Sequence, residues 1–292
     1  MVTAGTTPAN YTRADLRGGP AVRFSDVSVG FDEGEVLRGV SFVVAERETL
    51  VLLGETGTGK TLTLKLAAGL LRPTAGRVEV LGEDVSGMTE LELLAFRRKI
   101  GFVFQEGALF DSMTVEENVA YRLREERVPE SEIVPRVEEV LEFVELGHTQ
   151  EMLPSELSGG MRRRVSIARA LVSRPEIVLY DSPTAGLDPV TSQTIITLIL
   201  RLRDFYGVTS LLATHRLQDG FALANFRFDT KEKSVVRVAE GTAQAITRFM
   251  VYRHLEGVNE AGNEGYDNGI YFDGSPEEVL RSKDPYIRRF LV

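Results

Sequence analysis

The residues with the clearest chemical meaning lie at positions 54–61, which read Gly-Glu-Thr-Gly-Thr-Gly-Lys-Thr. This is the spacing G-x-x-x-x-G-K-[ST], placed between an apolar run at 48–53 and a helical pattern that begins at Thr61. Glycines here let the backbone N–H groups turn inward towards phosphate oxygens, and the helix that follows adds its positive end. The segment is therefore predicted to bind the phosphates of a nucleotide. A plain tight turn is the alternative, but it does not account for the flanking strand and helix.

Two side chains of this loop, and one beyond it, are expected to act on the phosphates and their metal. Lys60 should reach the β- and γ-phosphates, and the hydroxyl of Thr61 should bind Mg²⁺. The apolar run at 177–180 ends at Asp181. A charge at the end of a buried strand is costly unless it is paired or bound to a metal. Asp181 is therefore predicted as the acidic partner of Mg²⁺; a helix cap is the alternative for an isolated Asp.

The elements that must position these residues alternate along the chain, which predicts an α/β fold. Strand-like runs lie at 21–29, 36–45, 48–53, 100–104, 177–180, 210–213, 226–229 and 270–273, and helical patterns at 61–71, 89–98, 114–125, 130–146, 158–173, 189–206 and from Pro276. Towards the end of the chain, residues 242–255 are predicted to be helical, with Ile246, Phe249 and Met250 on one face. That face could pack on its own domain or dock a partner. The Gly- and Asn-rich stretch 255–269 is predicted to be an exposed loop.

Composition narrows the class of protein. The chain has 292 residues with 43 acidic and 34 basic side chains, a net charge of −9, which disfavours non-specific nucleic-acid binding. It has no cysteine, which excludes disulfides, cysteine-ligated metals and thiol nucleophiles. No stretch approaches the ~18 apolar residues of a membrane span. Residues 1–20 are expected to be a flexible polar lead. Work at a membrane would therefore require a separate partner that spans it.

Residues 157–161 read Leu-Ser-Gly-Gly-Met and precede a basic helix at 162–170. With this segment the chain resembles the ATP-binding subunits of ABC transporters, over about 21–229 and again over 270–292. The resemblance implies a P-loop NTPase fold with a RecA-like core, an antiparallel β subdomain, a helical signature subdomain at about 106–173 and an insert at about 230–269. It also implies that two copies enclose two ATP molecules. The alternative is that the arginines form a solvated face or a nucleic-acid patch, which leaves Ser-Gly-Gly unexplained.

The same resemblance assigns a role to individual residues. Phe31 is expected to stack on adenine, although a buried strand-end phenylalanine is an alternative. His215 should contact the γ-phosphate, although a lone structural histidine is common. The residues expected to bind ATP are Phe31, Gly54, Glu55, Thr56, Gly57, Thr58, Gly59, Lys60, Thr61, Leu62, Ser158, Gly159, Gly160 and Asp188. Those expected to bind Mg²⁺ are Thr61, Gln105 and Asp181, and those expected at the reacting centre are Ser182, His215, Gln105 and Asp181.

The sequence departs from the family at Ser182. Active members have a glutamate directly after the Mg²⁺ aspartate, where it polarises the attacking water. A serine hydroxyl cannot act as a general base at neutral pH and can only orient water. Three interpretations remain open: slow hydrolysis with His215 and Gln105 positioning the water, ATP binding with little turnover, or an engineered change that traps ATP.

Two stretches narrow the resemblance further. Residues 104–120 and the Gly-Gly-Met-x-Arg-Arg pattern at 159–164 resemble the subgroup that powers MCE/Mla-type lipid transport. This implies a second copy of the chain, an MlaE-like integral-membrane permease, an MCE-domain protein and a small STAS-type regulator as partners, with no nucleic acid. It also implies a cytoplasmic location on the inner face of the membrane. Leu109, Phe110 and Met113 would line the permease groove or pack internally. A soluble ABC ATPase and a non-hydrolysing ATP-binding regulator are the competing functions.

Overall fold

The computed structural model describes residues 19–31, 34–238, 247–258 and 264–291. The predicted polar lead at 1–20 therefore lies almost wholly outside the described residues. The strands are β1 (Pro20–Phe31), β2 (Gly34–Ala45), β3 (Thr49–Leu53), β4 (Ala75–Val80), β5 (Glu83–Asp84), β6 (Ile100–Val103), β7 (Ile177–Asp181), β8 (Thr209–Thr214), β9 (Phe226–Asp229), β10 (Ser234–Arg237), β11 (Thr247–Val258) and β12 (Glu264–Gly274). The helices are α1 (Lys60–Ala67), α2 (Glu90–Phe96), α3 (Val115–Glu125), α4 (Glu130–Phe143), α5 (Gly159–Leu171), α6 (Pro189–Tyr206), α7 (Leu217–Asn225), α8 (Pro276–Arg281) and α9 (Pro285–Arg288).

The main sheet has the strand order β12-β11-β3-β8-β7-β6, in which β11, β3, β8, β7 and β6 run parallel and β12 is an antiparallel edge. Both of its faces are buried. In β3, Val51 and Leu53 join one apolar cluster with the helices, while Leu50 and Leu52 join another with the second sheet. Side chains alternate across a strand, so burial on both faces requires an unbroken apolar run. This explains why most of the parallel strands can be recognised in the sequence as short apolar runs.

A second, antiparallel sheet has the order β2-β1-β4-β5 and covers one face of the main sheet together with α1 and α2. The rings of Phe24 and Phe42 stack there with centroids 4.5 Å apart. Helices α3, α4 and α5 lie against the other cluster. The start of α3 is fixed by a capping box, in which Thr114 and Glu117 satisfy each other's backbone N–H groups. Over the described ranges, no helix is both long and apolar enough to cross a membrane.

The prediction of a helix at 242–255 is wrong over its described part. Residues 247–258 form β11, which pairs with β3 from Thr247 opposite Thr49 to Val251 opposite Leu53. Phe249 and Val251 point into one apolar cluster, and Met250 into the other. A short apolar run buried on both faces has no period that separates a strand from a buried helix. Ile246 lies outside the described residues.

The predicted exposed loop at 255–269 is likewise not a loop where the structure describes it. Residues up to 258 continue β11, and β12 begins at Glu264; residues 259–263 lie outside the described part. Part of the interval predicted as an insert, 230–269, is thus a strand of the main sheet. Another part, β10, pairs with β9 in a small two-stranded sheet of its own. The limits of the insert and of the helical subdomain stay predictions.

Candidate functional site

Four neighbouring parallel strands end at the same edge of the main sheet, and each is followed by predicted site residues. The register places Leu53 of β3 opposite Thr214 of β8, and Ala213 of β8 opposite Asp181 of β7. The phosphate loop follows β3, His215 follows β8, Ser182 follows β7 and Gln105 follows β6. The carboxyl ends of parallel strands are the usual place for ligand sites in such sheets. The topology therefore gathers residues that lie far apart in the sequence.

The phosphate loop closes on itself through local contacts. Gly54, Gly57 and Gly59 have φ values of 155°, 86° and 95°, which side chains rarely adopt. Gly54 is also a close approach, because a Cβ there would lie 2.8 Å from the carbonyl oxygen of Tyr252 in β11. The buried hydroxyl of Thr58 donates to the carbonyl of Glu55 at 2.9 Å. The loop is thus held in a closed shape by contacts within the chain.

Lys60 lies folded over this loop. Its Nζ donates to the carbonyl oxygens of Gly54 at 2.8 Å and Glu55 at 2.6 Å, and lies 3.4 Å from the hydroxyl of Thr58. Burial lowers the pKa of Lys60 to about 8, against the opposing effect of the Asp181 and Glu55 carboxylates. The ammonium is therefore held where a phosphate could take the place of the carbonyls.

Thr61 and Asp181, two of the three residues predicted to bind Mg²⁺, contact each other directly. The hydroxyl of Thr61 donates to the two carboxylate oxygens of Asp181 at 3.0 and 3.1 Å. Burial raises the pKa of Asp181, and the hydrogen bond from Thr61 and the charges of Lys65 and Lys60 oppose this. Within the described ranges no cluster of three or more His, Cys, Asp or Glu side chains could hold a metal. One hydroxyl and one carboxylate suit Mg²⁺, which takes oxygen ligands and completes its shell with phosphates and water.

The reacting side of the site is built differently. Ser182 has a φ of 48°, and its N–H donates to the carbonyl of Ala213 at 2.8 Å, so the turn after β7 is pinned to β8. Below it, the buried carboxylate of Asp219 accepts hydrogen bonds from the hydroxyls of Thr184 and Thr214. Ser182 is half-buried, whereas Gln105 and His215 are exposed. Both exposed side chains follow strands that end at the same edge of the main sheet.

The remaining predicted contacts face outwards. Ser158 caps α5 by accepting from the N–H of Met161 at 3.2 Å, and it is exposed. A Cβ on Gly160 would lie 2.3 Å from a methyl group of Thr191, so α5 begins directly against α6. Asp188 caps α6 by accepting from the N–H groups of residues 190 and 191, both at 3.0 Å. Ser158 and Asp188 thus belong to one exposed area of the cassette surface.

Two further predicted ATP ligands are Phe31 and Leu62. Phe31 ends β1 with 52% of its surface exposed, so the alternative of a buried strand-end phenylalanine is wrong. Leu62 lies in the first turn of α1, and its half-buried side chain packs on the core cluster shared with the second sheet.

The three arginines at the start of α5 differ in exposure, so the alternative of a solvated face holds only in part. Arg162 is exposed and donates to the carbonyl of Leu157 at 2.6 Å. Arg164 is half-buried and donates to the carbonyl of Val144 at 3.0 Å. Arg163 is only 7% exposed and donates to the carbonyl of Phe104 at 2.9 Å, which a solvated face does not explain.

The predicted permease groove is partly packed inward. Phe110 is 42% exposed, although its ring lies 4.7 Å from that of Tyr121, whereas Leu109 packs against the core. The side chain of Asn118, which is fully buried, accepts from the N–H of Phe110 at 2.8 Å and donates to the carbonyls of Phe110, Met113 and residue 114 at 3.0 Å. The loop at 109–114 is thus held in one shape, with Phe110 at its surface.

Sequence reasoning missed the residues of β11 that touch the phosphate loop. Tyr252 supplies the carbonyl beside Gly54, and its hydroxyl lies 3.1 Å from that of Thr63. His254 lies with Nε2 3.3 Å from the carbonyl of Thr56. The only sequence signal for these contacts was the apolar run 249–252, which was interpreted as part of the helix predicted at 242–255. These contacts follow from β11 lying next to β3.

Comparison with known proteins indicates the family to which the chain belongs. A family model described as ABC transporter matches residues 37–185, about half of the chain. The methionine import ATP-binding protein MetN of Rhizobium johnstonii is 40% identical over 197 residues, which are 68% of this chain and 54% of that protein. MetN of Brucella abortus is 34% identical over 238 residues, 80% of this chain and 64% of that protein. The chain thus spans 54% to 64% of the length of these two relatives.

The solved structures agree on the fold. The ATP-binding cassette MJ0796, in a dimeric post-hydrolysis state bound to ADP and Pi, has 27% identity and a TM-score of 0.69, and the match covers 87% of this chain and 98% of that one. The structure of cbiO1 from Clostridium perfringens, with 24% identity and a TM-score of 0.71, shares the fold and covers 90% of this chain and 92% of that one. The family match spans the phosphate loop, Asp181 and the start of α5. On this evidence the chain belongs to the ABC transporter family and has the fold of its ATP-binding cassette.

Proposed function

We propose that two copies of this chain bind MgATP between them and hydrolyse it to drive a membrane permease from the inner face of the cell membrane. The observation that carries this proposal is the pairing of Thr61 with Asp181 at 3.0 Å beside the closed glycine loop. The loop supplies backbone N–H groups for phosphate, and the pair supplies hard oxygen ligands for the metal.

The residues of one copy divide the work of binding. Lys60 exchanges the carbonyls of Gly54 and Glu55 for phosphate oxygens, which are better partners because they carry charge. Thr61 and Asp181 hold Mg²⁺, which when bound neutralises charge on the phosphates. Phe31 would stack on the base, a role that its exposed ring at the end of β1 allows. Substitution of Lys60, of Thr61 or Asp181, and of Phe31 would therefore remove phosphate binding, metal binding and base stacking, respectively.

Hydrolysis would rest on positioning. Phosphoryl transfer depends chiefly on alignment and electrostatics, so a water oriented by Ser182, Gln105 and His215 can still react without a carboxylate base. Ser182 contributes a hydroxyl that accepts or donates but does not take the proton at neutral pH. We expect slow turnover. Ser182 equally favours the second candidate function, an ATP-dependent dimer that regulates a partner and hydrolyses almost nothing.

The second copy is part of the proposal because Ser158 and Asp188 are exposed together at one surface. The N-terminus of α5 carries N–H groups and the positive end of a helix of thirteen residues, which suit a phosphate. The similar cassette MJ0796 is dimeric in its ADP- and Pi-bound state. In this arrangement α5 of one copy completes the ATP site of the other.

The cargo of the permease is a finer question. The two relatives named above are methionine import proteins, which favours methionine as the cargo. Lipid transport, implied by the resemblance of residues 104–120 and 159–164, finds no support in those relatives. Lipid transport therefore stays a hypothesis, as do the MlaE-like permease, the MCE-domain protein and the STAS-type regulator.

One experiment tests the core of the proposal. The purified chain is mixed with MgATP, MgADP or no nucleotide, and its mass is measured by size-exclusion chromatography with light scattering, with phosphate release followed in parallel. We expect a dimer with MgATP only, and slow release of phosphate. A monomer under every condition contradicts the proposal, and a stable dimer without phosphate release favours the regulator.

A pull-down from native membranes then tests the partner and the cargo. Co-isolation of a membrane permease supports the transport function. Stimulation of its ATPase by methionine, or by lipid extracted from the complex, separates the two cargo hypotheses. Co-isolation with nucleic acid or ribosomes, and no permease, would favour the soluble ABC ATPase instead.

A further inference from the structure

One buried arginine joins three parts of the site that the sequence keeps apart. Arg163 lies on α5, and its Nη1 donates to the carbonyl of Phe104 at 2.9 Å while its Nη2 lies 3.4 Å from the carbonyl of Ala185. Phe104 directly precedes Gln105. Ala185 lies in the turn between Ser182 and the cap of α6. A single guanidinium therefore connects α5, the helix capped by Ser158, to both loops that border the reacting centre.

The chemistry of the side chain suits this role. A guanidinium is a planar fork of donors in fixed positions, so it can hold two carbonyls at a set separation. The bond to Ala185 is the longer and weaker of the two. Burial lowers the pKa of Arg163, and the Glu106 and Asp181 carboxylates oppose this. The cation is thus kept in place by carbonyl dipoles and by the charge of the predicted metal ligand.

We infer that Arg163 is a positioning residue that couples the ATP bound by one copy to the ATP bound by the other. The inference rests on the function proposed above. Gln105 and Ser182 face the nucleotide of their own copy, whereas Ser158 faces that of the partner. Because Arg163 fixes α5 against both loops, a shift of either loop on nucleotide binding moves Ser158 with it.

The two neighbouring arginines show what is particular to Arg163. Arg162 donates to Leu157 at the start of its own helix, and Arg164 donates to Val144 at the end of α4. Neither reaches a loop that carries a predicted catalytic residue. Arg164 therefore provides a matched control on the same helix, with the same charge and the same kind of acceptor.

The test compares Arg163→Lys, Arg163→Gln and the control Arg164→Lys. A lysine keeps the charge but has no fork, and a glutamine keeps a planar donor group but is too short to span both carbonyls. For both changes at position 163 we expect the affinity of the single copy for a fluorescent ATP analogue to stay within about twofold, because the phosphate loop is untouched. We expect kcat and ATP-driven dimerisation to fall roughly tenfold or more, since small misplacements of reacting groups cost that much.

Arg164→Lys should leave kcat, KM and dimerisation close to those of the unaltered chain. Thermal unfolding is measured for all variants, because a merely structural role would lower Tm without separating kcat from KM. Hydrogen–deuterium exchange of the unaltered chain gives a second measurement that needs no variant. It should show that residues 104–108, 182–188 and the start of α5 gain protection together when MgATP binds.

The inference would be overturned if Arg163→Lys had the kcat and the dimerisation of the unaltered chain, or if Arg164→Lys lost as much of both as Arg163→Lys. It would also be overturned if MgATP protected one of the two loops from exchange without protecting the start of α5. If the unaltered chain itself neither binds ATP nor dimerises, the proposed function fails, and this is a distinct result. If a variant at position 163 does not fold, the exchange pattern alone decides between coupling and its absence.

Discussion

The phosphate loop and the reacting side of the same site differ in the share of local and long-range contacts that hold them. The loop at 54–61 is closed mainly by contacts within itself, such as Lys60 to Gly54 and Thr58 to Glu55, although β11 also touches it. On the reacting side, Ser182 is pinned to Ala213, and the turn that follows it is held by Asp219 and Arg163. On the proposed function, nucleotide binding would therefore depend chiefly on a short local motif. Turnover would depend on distant parts of the chain meeting correctly.

The comparison has a physical lesson. Local bonds form at low entropic cost because few residues must be ordered to make them, whereas long-range bonds require the whole fold first. Changes at the loop should therefore remove binding directly. Changes on the reacting side should alter rate or stability and leave binding largely intact.

The largest effect is expected from Lys60→Met. Without the ammonium the loop keeps its glycines but loses the charge that meets the phosphates, so ATP affinity and turnover should fall by roughly a hundredfold or more. Isothermal titration calorimetry with MgATP measures the affinity. Lys99→Met, which removes an exposed cation paired with Glu83 at 2.7 Å, is the control and should bind normally. Normal ATP binding by Lys60→Met would contradict the role of the loop.

The next prediction is an increase in the ATPase rate rather than a loss. Ser182→Glu should raise the steady-state ATPase rate by roughly tenfold to a hundredfold, because a carboxylate can accept the proton of the attacking water. ATP affinity should stay nearly constant, which would sharpen the contrast between the two sides. Phosphate release under saturating MgATP measures the rate, and Ser182→Ala should not raise it. An unchanged rate for Ser182→Glu, in the permease complex as well, would mean that chemistry does not limit turnover.

A smaller effect is expected from Asp219→Asn. One carboxylate oxygen of Asp219 accepts from both Thr184 and Thr214, and its other oxygen lies 3.7 Å from Nε of Arg216. An asparagine would accept with a neutral amide oxygen, which is a weaker acceptor, and would turn its NH₂ donor towards the Arg216 guanidinium. The free energy of unfolding should fall by about 1–3 kcal/mol, with a lower kcat because the turn after β7 loosens. Urea denaturation and ATPase assays measure the two. Asp111→Asn, at an exposed position, should change neither, and equal losses in both variants would refute the assignment.

The smallest effect concerns pH. The pKa of Lys60 is lowered to about 8 by burial, so the side chain begins to lose its proton as the pH rises through that value. A bound phosphate restores the charge, and ATP binding should therefore take up a proton and weaken as the pH rises above about 8. Calorimetry in buffers with different heats of ionisation measures the uptake, which should be at most about one proton. The same uptake in Lys60→Met would assign it to another group.

The sequence predicts most of the main sheet because its strands are buried on both faces. The apolar runs at 48–53 and 177–180 became β3 and β7, and the helical pattern at 189–206 became α6, with Asp188 as its cap. The strand β11, next to the edge, was not predicted, since the run 249–252 has the same composition as a buried helix turn. The strand β11 is recognisable only from its pairing with β3.

The candidate site likewise has parts with a local sequence pattern and parts that depend on contacts between distant residues. Types and spacing were enough for the phosphate loop and for Asp181, because backbone geometry and the end of a buried strand are local properties. The expectation of a glutamate in the place of Ser182 came from the family resemblance alone. The bonds from Arg163, the network of Asp219 and the approach of Tyr252 to Gly54 have no local signature.

The sequence by itself thus determined the phosphate loop with its glycines, the aspartate at the end of a buried strand, and the class of fold that presents them. The tertiary structure decided which elements hold those residues in place. It put β11 beside β3, buried Arg163 between two loops and left Ser158 and Asp188 exposed. The physical reason is that hydrogen bonds between distant segments, and burial on both faces of a strand, exist only after the chain has packed.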